Sequence, residues 1–340
     1  MPAAPPIEQW PQFIEILSKR KDFVIDISGQ KDPPSKPNAV SVFQWERENP
    51  WVAPPEDKRK QLEEAQKEFH DIPFLQEMRW VAGGKYLMGD TFGEALDNEQ
   101  PVKEEAVEGF YMMAYPITVE EFRQLVTEES YKTYAERTIK EIDTDSSSNE
   151  IRGSYIVQEA NFVAGVTWEN DIHGQGMARP DDPVVHIAWH DAQEYVTWIR
   201  KKTKIPFRLP EEWEWEYAAR NRGKRCRYGQ GKNTGDGINS GETGNRRLVG
   251  KSTTQAASGN ELGIYHLGGN VLEYQATPYH PRSTMGNPQV VPQGYFGDGE
   301  TRYTLRGGSW STPLDFCRGP FRDHVFSVNP YFLSGFRLVF

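Results

Sequence analysis

The sequence has few cysteines, no long apolar run and no excess of positive charge. Its 340 residues include only two cysteines, Cys226 and Cys317, which cannot build a disulfide framework or a four-cysteine zinc site. No run of about 18 apolar residues occurs and the mean hydropathy is −0.72, so we predict no membrane insertion. The net charge of −10 has the opposite sign to that of a general nucleic-acid binder, so we predict no nucleic-acid partner.

The N-terminus, MPAAPPIEQW, lacks both the basic region and the apolar region of a signal peptide. We therefore expect a cytoplasmic location and two free thiols. The sequence is rich in Gly (30) and Pro (24), which is typical of a loop-rich chain. Its 10 Trp, 15 Tyr and 17 Phe supply large apolar side chains for a core.

Residues 1–77 differ in character from the rest. A turn-rich run of Pro, Ser and Lys precedes a charged run of strong helix formers, which predicts a surface helix. We interpret 1–77 as a partly helical N-terminal extension packed on a main domain that spans 78–340. An alternative is an adaptor segment that recruits a partner. Inside the main domain, residues 128–180 are polar with little periodicity, which predicts an insertion of loops and short strands.

Local signals predict several elements of the main domain. A Gly83-Gly84 turn separates two predicted strands, and Thr118 with Glu121 three residues later forms a capping box before a helix. Helical spacing predicts one buried helix face made of four residues: Ala192, Tyr195, Val196 and Ile199.

Two polar clusters also need an interpretation. His186 and His190 are four residues apart, as metal ligands on a helix can be, but the segment has a strand pattern and we assign them a structural role. After Pro210, an acidic cluster is expected in the first turn of a helix, where the helix dipole and solvation explain it. The cluster consists of Glu211, Glu212, Glu214 and Glu216.

Seven ordered segments carry a family pattern: GGKYLMGD (83–90), YPITVEEF (115–122), PVVHIAWHDAQEY (183–195), FRLPEEWEWEYAAR (207–220), LGGNVLEY (267–274), RGGSW (306–310) and GFRLV (335–339). Together they resemble the formylglycine-generating enzyme family, also called sulfatase-modifying-factor domains. The resemblance covers about 78–340. It implies an α+β, C-type-lectin-like fold of the formylglycine-generating-enzyme type, rich in loops and short strands, with the small N-terminal extension outside it.

The resemblance also implies a copper site, which this sequence does not complete. The enzymes of the family bind copper between two cysteines that are five residues apart and follow the GGS motif. Here the first position is Thr312 and the second is Cys317. Copper(I) prefers soft thiolates, and a threonine hydroxyl is a hard, protonated ligand. We therefore expect no copper and no enzymatic activity. A copper-dependent oxidase that converts a peptide cysteine to formylglycine is the alternative.

Calcium is a separate expectation from the same resemblance, since the family binds it through oxygen ligands near its Gly-rich stretch. The matching positions are Asn270 and Glu273, with Asn260 as a weaker candidate. Carboxylate and amide oxygens suit a hard cation. The alternative is that these side chains only cap and brace a turn.

The C-terminal region, about 306–340, carries a narrower resemblance. RGGSW, the positions of Cys317, Arg318 and Arg322, and GFRLV resemble the variable region of proteins diversified by retroelements. Those systems change asparagine codons to NNY, which cannot encode Glu, Lys, Gln, Met or Trp. These five types make up about 83 of the 340 residues, so about six are expected between Ser311 and Ser334, and none occurs. A loop that merely lacks long polar residues is the alternative.

These features predict a non-enzymatic ligand-binding protein whose diversified surface is built mainly from residues 311–334. Aromatic anchors beside short polar groups give a large contact area at low conformational cost. We expect a protein or cell-surface ligand, no required cofactor and calcium only as an option, and we leave the oligomeric state open. About half of the candidates should be exposed, whereas Trp310 and Phe336 should belong to the core. The candidate ligand-binding residues are Ser311, Thr312, Pro313, Asp315, Phe316, Phe321, Asp323, His324, Val325, Phe326, Tyr331, Phe332 and Leu333.

Overall fold

Short helices and strands joined by long loops make up the computed structural model. It describes residues 45, 48–94, 97–144, 146–156, 161–242, 248, 250–251, 259–280 and 301–340. The helices are α1 (Glu56–Glu68), α2 (Val119–Glu129), α3 (Ile139–Ile142), α4 (Trp189–Thr203) and α5 (Glu212–Ala219). The strands are β1 (Met78–Val81), β2 (Gly84–Met88), β3 (Lys103–Val107), β4 (Phe110–Met113), β5 (Ser154–Ile156), β6 (Asn161–Val163), β7 (Leu272–Pro278), β8 (Arg302–Arg306), β9 (Arg322–Phe326) and β10 (Ser334–Gly335). Within these ranges, none of the helices combines the length and the apolar character needed to cross a bilayer.

The largest described sheet has the strand order β10-β7-β8-β9. Three of its four strands come from the last 39 residues, and β10 runs parallel to β7 while the other pairs are antiparallel. The strands on either side of the Gly83-Gly84 turn form as predicted but do not pair with each other. β1 pairs with β4 and β2 pairs with β3, so this turn redirects the chain instead of closing a hairpin.

The helices follow their local sequence signals closely. The Thr118 hydroxyl accepts a hydrogen bond from the Glu121 amide (3.2 Å), and the Glu121 carboxylate accepts one from the Thr118 amide (2.9 Å). The predicted capping box is therefore confirmed at the start of α2. The four apolar residues predicted for one face of α4 are all buried: Ala192, Tyr195, Val196 and Ile199.

The described part of the N-terminal region is continuous with the main core. Leu62 and Ala65 of α1, and Phe74 in the short 3-10 turn after it, pack in the same apolar cluster as Trp310 and Phe336. Trp310 and Phe336 are buried, as predicted. Each buried aliphatic side chain contributes about 1.5–3 kcal/mol, so α1 adds to the stability of the fold. The described part of residues 1–77 therefore packs on the main domain, and the boundary at 77/78 stays a prediction. The adaptor interpretation of the N-terminal extension stays a prediction, and residues 1–44 of that extension lie outside the described residues.

The expectation that solvation explains the acidic cluster is wrong. α5 begins at Glu212, with Glu211 at the N-cap, and it buries Glu212, Glu214 and Glu216. Unpaired buried carboxylates are costly, so each of the three needs a nearby cation. Arginines from elsewhere in the chain supply these cations: Arg322 to Glu212, Arg208 to Glu214, and both Arg220 and Arg306 to Glu216.

Candidate functional site

Four buried ion pairs hold the C-terminal segment against the rest of the domain. Each joins an arginine of residues 306–337 to a buried carboxylate from earlier in the chain. The pairs are Arg306–Glu216, Arg318–Glu99, Arg322–Glu212 and Arg337–Glu273. We refer to them below as the arginine clamps.

In the Arg318 and Arg322 clamps, each arginine binds its carboxylate through two hydrogen bonds. Arg318 donates from Nη1 and Nη2 to the two oxygens of Glu99 at 2.7 and 2.9 Å. Arg322 donates from Nε and Nη2 to Glu212 at 2.7 and 3.1 Å. Paired guanidinium–carboxylate bonds fix orientation as well as position. The backbone of the segment is therefore set by these side chains and not by the residues it displays.

The candidate ligand-binding residues fall into two groups by burial. Asp315 is exposed, and five others are half-buried: Ser311, Pro313, Phe316, His324 and Phe326. The other seven are buried: Thr312, Phe321, Asp323, Val325, Tyr331, Phe332 and Leu333. Five of the seven belong to the main apolar core: Phe321, Val325, Tyr331, Phe332 and Leu333. For Thr312, Phe321, Asp323, Phe332 and Leu333, the structure corrects the expectation of a contact surface.

A pocket of about 60 Å³ opens beside the half-buried end of the segment. One wall is the β5–β6 hairpin, through Tyr155 and Phe162. The opposite wall is the C-terminal segment. The two walls are joined by a hydrogen bond from the Tyr155 amide to the Pro330 carbonyl (3.1 Å). The described residues that line the pocket are Tyr155, Phe162, Arg302, His324, Val325, Phe326, Asn329, Pro330 and Tyr331.

The pocket therefore contains four of the predicted ligand-binding residues: His324, Val325, Phe326 and Tyr331. Sequence reasoning missed Tyr155 and Phe162, which lie in the insertion, and Arg302, which begins β8. The insertion was identified as such, but nothing local in its sequence indicates that it contacts a strand some 170 residues later. Val325 and Tyr331 are buried, so they lie at the floor of the pocket and not at its rim.

The second exposed part of the segment is the turn that contains Asp315. Asp315 lies 3.4 Å from Arg227, and Phe316 stacks on Phe321 with ring centroids 4.9 Å apart. Gly235 approaches Leu314 from the neighbouring loop. This turn is packed against its neighbours, whereas the pocket offers a concavity, so the pocket is the better candidate for specific contact.

The expected copper position does not fit copper. Thr312 Oγ1 and Cys317 Sγ are both buried and 3.8 Å apart, so the two side chains face each other as the family pattern implies. Burial raises the pKa of the Cys317 thiol to about 12, which disfavours the thiolate that copper binds. The Thr312 hydroxyl already accepts from the Ser309 amide (2.8 Å) and donates to the Ser309 carbonyl (3.1 Å). Cys226 is a free, buried thiol elsewhere in the chain.

The expected calcium ligands are held by other contacts. Glu273 accepts from Arg337 Nη2 at 2.6 Å and from Trp215 Nε1 at 2.8 Å, so a guanidinium already neutralises its charge. Asn270 Oδ1 accepts from the Asn239 side chain (3.0 Å). Asn260 Oδ1 accepts from two backbone amides at 3.1 Å, which braces a turn. Among the described residues, no group of three His, Cys, Asp or Glu side chains could hold a metal ion. These three residues do not fit calcium.

His186 has a structural role that supports the pocket wall. Its Nδ1 lies 2.8 Å from the Ser154 hydroxyl and its Nε2 lies 2.8 Å from the Asp171 carbonyl, so it joins the insertion to the core. Burial lowers the pKa of His186 to about 4, which keeps it neutral. His190 stacks on Tyr134 with ring centroids 5.3 Å apart. The two rings therefore have different partners.

The chain matches a family model described as "Sulfatase-modifying factor enzyme 1-like domain" over residues 64–340. It is 29% identical over 268 residues to the Formylglycine-generating enzyme of Streptomyces coelicolor, covering 70% of this chain and 79% of that protein. It is 30% identical over 261 residues to the Inactive C-alpha-formylglycine-generating enzyme 2 of Mus musculus, covering 69% and 74%.

Two solved structures are similar in fold. PvdO from Pseudomonas aeruginosa has a TM-score of 0.54 at 22% identity, over 77% of this chain and 93% of that one. Treponema denticola variable protein 1 has a TM-score of 0.51 at 16% identity, over 77% and 94%. At such identities the likeness concerns the fold alone, which is the expected C-type-lectin-like α+β fold. The family match, which spans most of the chain, goes further: this protein belongs to the sulfatase-modifying-factor, or formylglycine-generating enzyme, family.

Proposed function

We propose that this protein is a non-enzymatic binding protein that displays a diversified surface, in the manner of retroelement variable proteins. One observation carries the proposal. The backbone of the C-terminal segment is held by buried arginine clamps, while His324, Phe326 and their neighbours form an open pocket on its outer side. A surface built in this way can change its side chains without disturbing the residues that fix its backbone.

Composition supports diversification of this segment. The residue types that NNY codons cannot encode are absent from 311–334, although they make up about a quarter of the whole chain. The clamp residues within the window, Arg318 and Arg322, occupy the constant positions of the variable-region pattern. Constancy at those two positions has a physical reason here, since loss of either one would leave a buried carboxylate without its partner.

The size of the pocket favours a macromolecular ligand. Sites for small molecules usually enclose about 300–1,000 Å³. A cavity of about 60 Å³ accommodates one side chain or one small group of a larger partner. The walls include Tyr155, Tyr331 and Arg302, and tyrosine and arginine are among the residue types enriched in interface hot spots. We therefore place the ligand among proteins and cell-surface molecules.

The competing function is the copper-dependent oxidation of a peptide cysteine. It requires a second soft ligand where Thr312 stands, and the contacts of Thr312 and Cys317 oppose it. The family itself has members under both names, since one relative is named as a formylglycine-generating enzyme and another as inactive. Membership alone therefore does not decide between the two functions.

Two experiments test the proposal. In the first, the protein is incubated with copper(I), oxygen and a cysteine-containing peptide, and aldehyde is captured with a hydrazide. We expect neither stoichiometric copper binding nor aldehyde, and the appearance of both would overturn the proposal. The second examines the DNA next to the gene. We expect a near-copy of its 3′ end that differs at adenines, beside a reverse-transcriptase gene. Its absence would remove the diversification part and leave ligand binding to be judged alone.

A further inference from the structure

A short segment at the start of the described structure lies against the Gly83-Gly84 turn. It consists of Trp45 and residues 48–52, and we refer to it as the strap. Its outer side faces solvent, since Trp51 and Val52 are each 59% exposed. In the part of the chain that the structure describes, no strap residue belongs to an apolar cluster. Contacts other than core packing therefore hold the strap in place.

Arg222 joins the strap to the domain. Its Nη2 donates to the carbonyls of Asn49 (3.0 Å) and Pro50 (2.9 Å) in the strap. Its Nε donates to the Ala82 carbonyl (2.9 Å), and Nη2 also donates to the Gly83 carbonyl (3.2 Å). One guanidinium thus binds two carbonyls of the strap and two carbonyls at the start of the turn.

The charge of Arg222 is buried and is compensated by carbonyls and rings. Only 6% of Arg222 is exposed, and among the described residues no carboxylate pairs with it. The rings of Trp45 and Trp51 flank it, with centroids 5.5 and 5.4 Å from the guanidinium carbon. A buried cation needs such compensation, and here two of the four carbonyls and both rings belong to the strap. The position of the strap is therefore coupled to this charge.

Two further hydrogen bonds connect the strap to β1 and β2. The Lys85 amide donates to Asn49 Oδ1 (2.7 Å), and the Trp80 indole donates to the Val52 carbonyl (2.7 Å). Gly84 permits the close approach, because a Cβ at this position would collide with Asn49 Oδ1. Both donors belong to the domain and both acceptors belong to the strap. The exchange of these two protons with solvent therefore reports whether the strap is bound.

We propose that the strap is a separable latch and that Arg222 holds it closed. In the closed state, the N-terminal extension is fixed to the domain beside β1 and β2. In the open state, the strap leaves as a unit while the core stays folded, and residues 53–55 tether it to α1. If the extension recruits a partner, as the adaptor interpretation predicts, the latch sets whether that partner is held rigidly or loosely. No strap residue lines the described pocket, so this inference goes beyond the proposed function and does not depend on it.

The test follows hydrogen exchange in the full chain by NMR at the Trp80 indole and the Lys85 amide. The amide of the buried Ile199 in α4 is the reference for unfolding of the core. In the parent, we expect the two reporters to exchange together and at least about tenfold faster than Ile199. Arg222→Met should raise both reporter rates by a further factor of at least about ten and leave Ile199 unchanged, although Arg222 bonds to neither reporter.

The control is another arginine three residues further along the chain. Arg225 is exposed and donates to the Thr91 carbonyl (3.1 Å), away from the strap. Arg225→Met should leave all three exchange rates unchanged. If Arg222→Met raised the rate at Ile199 as much as at the reporters, Arg222 would be a residue of the core and its assigned role would be wrong.

A second variant acts from the strap side and leaves Arg222 in place. Asn49→Ala removes the acceptor of the Lys85 amide, and a strap that opens as a unit should then also release the Trp80 indole. Faster exchange at Lys85 alone would show that the contacts are independent and would overturn the latch. Reporters that exchange only as fast as Ile199 in the parent would overturn it as well, since the strap would then open only with the core.

Discussion

The loop between Ser309 and Cys317 and the pocket around Arg302 belong to the same C-terminal segment, yet they are built in opposite ways. In the first, the facing side chains of Thr312 and Cys317 are buried, and Ser309 satisfies the hydroxyl of Thr312 from within the loop. The second is open, flanked by cations and shared with the insertion. The difference teaches that the position matching the family's copper ligands lies in the core of this chain, whereas the open pocket lies elsewhere on the same segment.

Breaking an arginine clamp is expected to reduce stability more than any other change considered below. Arg322→Met leaves the buried Glu212 without its cation and should lower the free energy of unfolding by about 3–5 kcal/mol, measured by urea denaturation. The double variant Arg322→Met/Glu212→Met should recover much of this loss, because no charge is then left buried. Arg225→Met serves as the exposed control. A loss below about 1 kcal/mol for Arg322→Met would mean that the clamp does not fix the segment.

The second prediction separates displayed aromatic residues from packed ones. Phe332→Ala should cost about 3–5 kcal/mol, because Phe332 is buried in the main core. Phe326→Ala, at the half-buried rim, should cost clearly less, since much of that side chain already faces solvent. Thermal denaturation of the two variants side by side measures the contrast. Equal losses would show that the rim residue is structural.

The third prediction concerns the histidine that supports the pocket wall. The pKa of His186 is about 4 in the fold and about 6.5 when unfolded, so the unfolded chain takes up a proton first as the pH falls. This group therefore removes up to about 3 kcal/mol of stability between pH 6.5 and 4. His186→Asn tolerates the positive φ of 60° and should show a shallower loss over that window. The free energy of unfolding is measured against pH for the parent and for His186→Asn. Parallel curves would contradict the prediction that a buried, neutral His186 causes the loss.

The smallest effect on stability comes from restoring the missing thiol. Thr312→Cys loses the hydroxyl contacts with Ser309, at about 1 kcal/mol, and places a second sulfur opposite Cys317. This variant should bind stoichiometric copper(I) under reducing conditions, whereas the parent and Thr312→Ser should not. Competition with a chromogenic copper(I) chelator measures the affinity. If the parent bound copper(I) as tightly as Thr312→Cys, the claim that Thr312 and Cys317 do not form a copper site would be wrong.

The sequence predicts local structure better than pairing over distance. The capping box at Thr118 and the buried face of α4 depend on residues within one or two turns, and both are confirmed. The strands beside the Gly83-Gly84 turn were also predicted from local pattern, but their partners were not: β1 pairs with β4, and β2 pairs with β3. The expectation that solvation explains the acidic cluster was overturned by a distant partner, since Glu212 pairs with an arginine 110 residues later.

The candidate site shows the same contrast between local signals, which the sequence carries, and distant contacts, which it does not. The resemblance led to the C-terminal segment as the candidate and to the threonine at position 312 in place of a cysteine. The pocket itself requires β5 and β6 of the insertion to lie against residues 324–331, which no spacing or periodicity encodes. Burial also divided the candidates in a way that residue type could not predict. Phe326 and Phe332 have the same chemistry, but one lies at the rim and the other in the core.

The central claim is that the outer residues of the segment can vary and bind while its inner residues cannot. Two libraries test it directly. One randomises the exposed and half-buried candidates Ser311, Pro313, Asp315, Phe316, His324 and Phe326, and the other randomises the buried Phe321, Phe332 and Leu333. Both are displayed and selected against one purified protein, lysozyme. We predict that most clones of the first library fold and that it yields specific binders, whereas most clones of the second fail to fold. Equal loss of folding in the two libraries, or no binders from the first, would contradict the account.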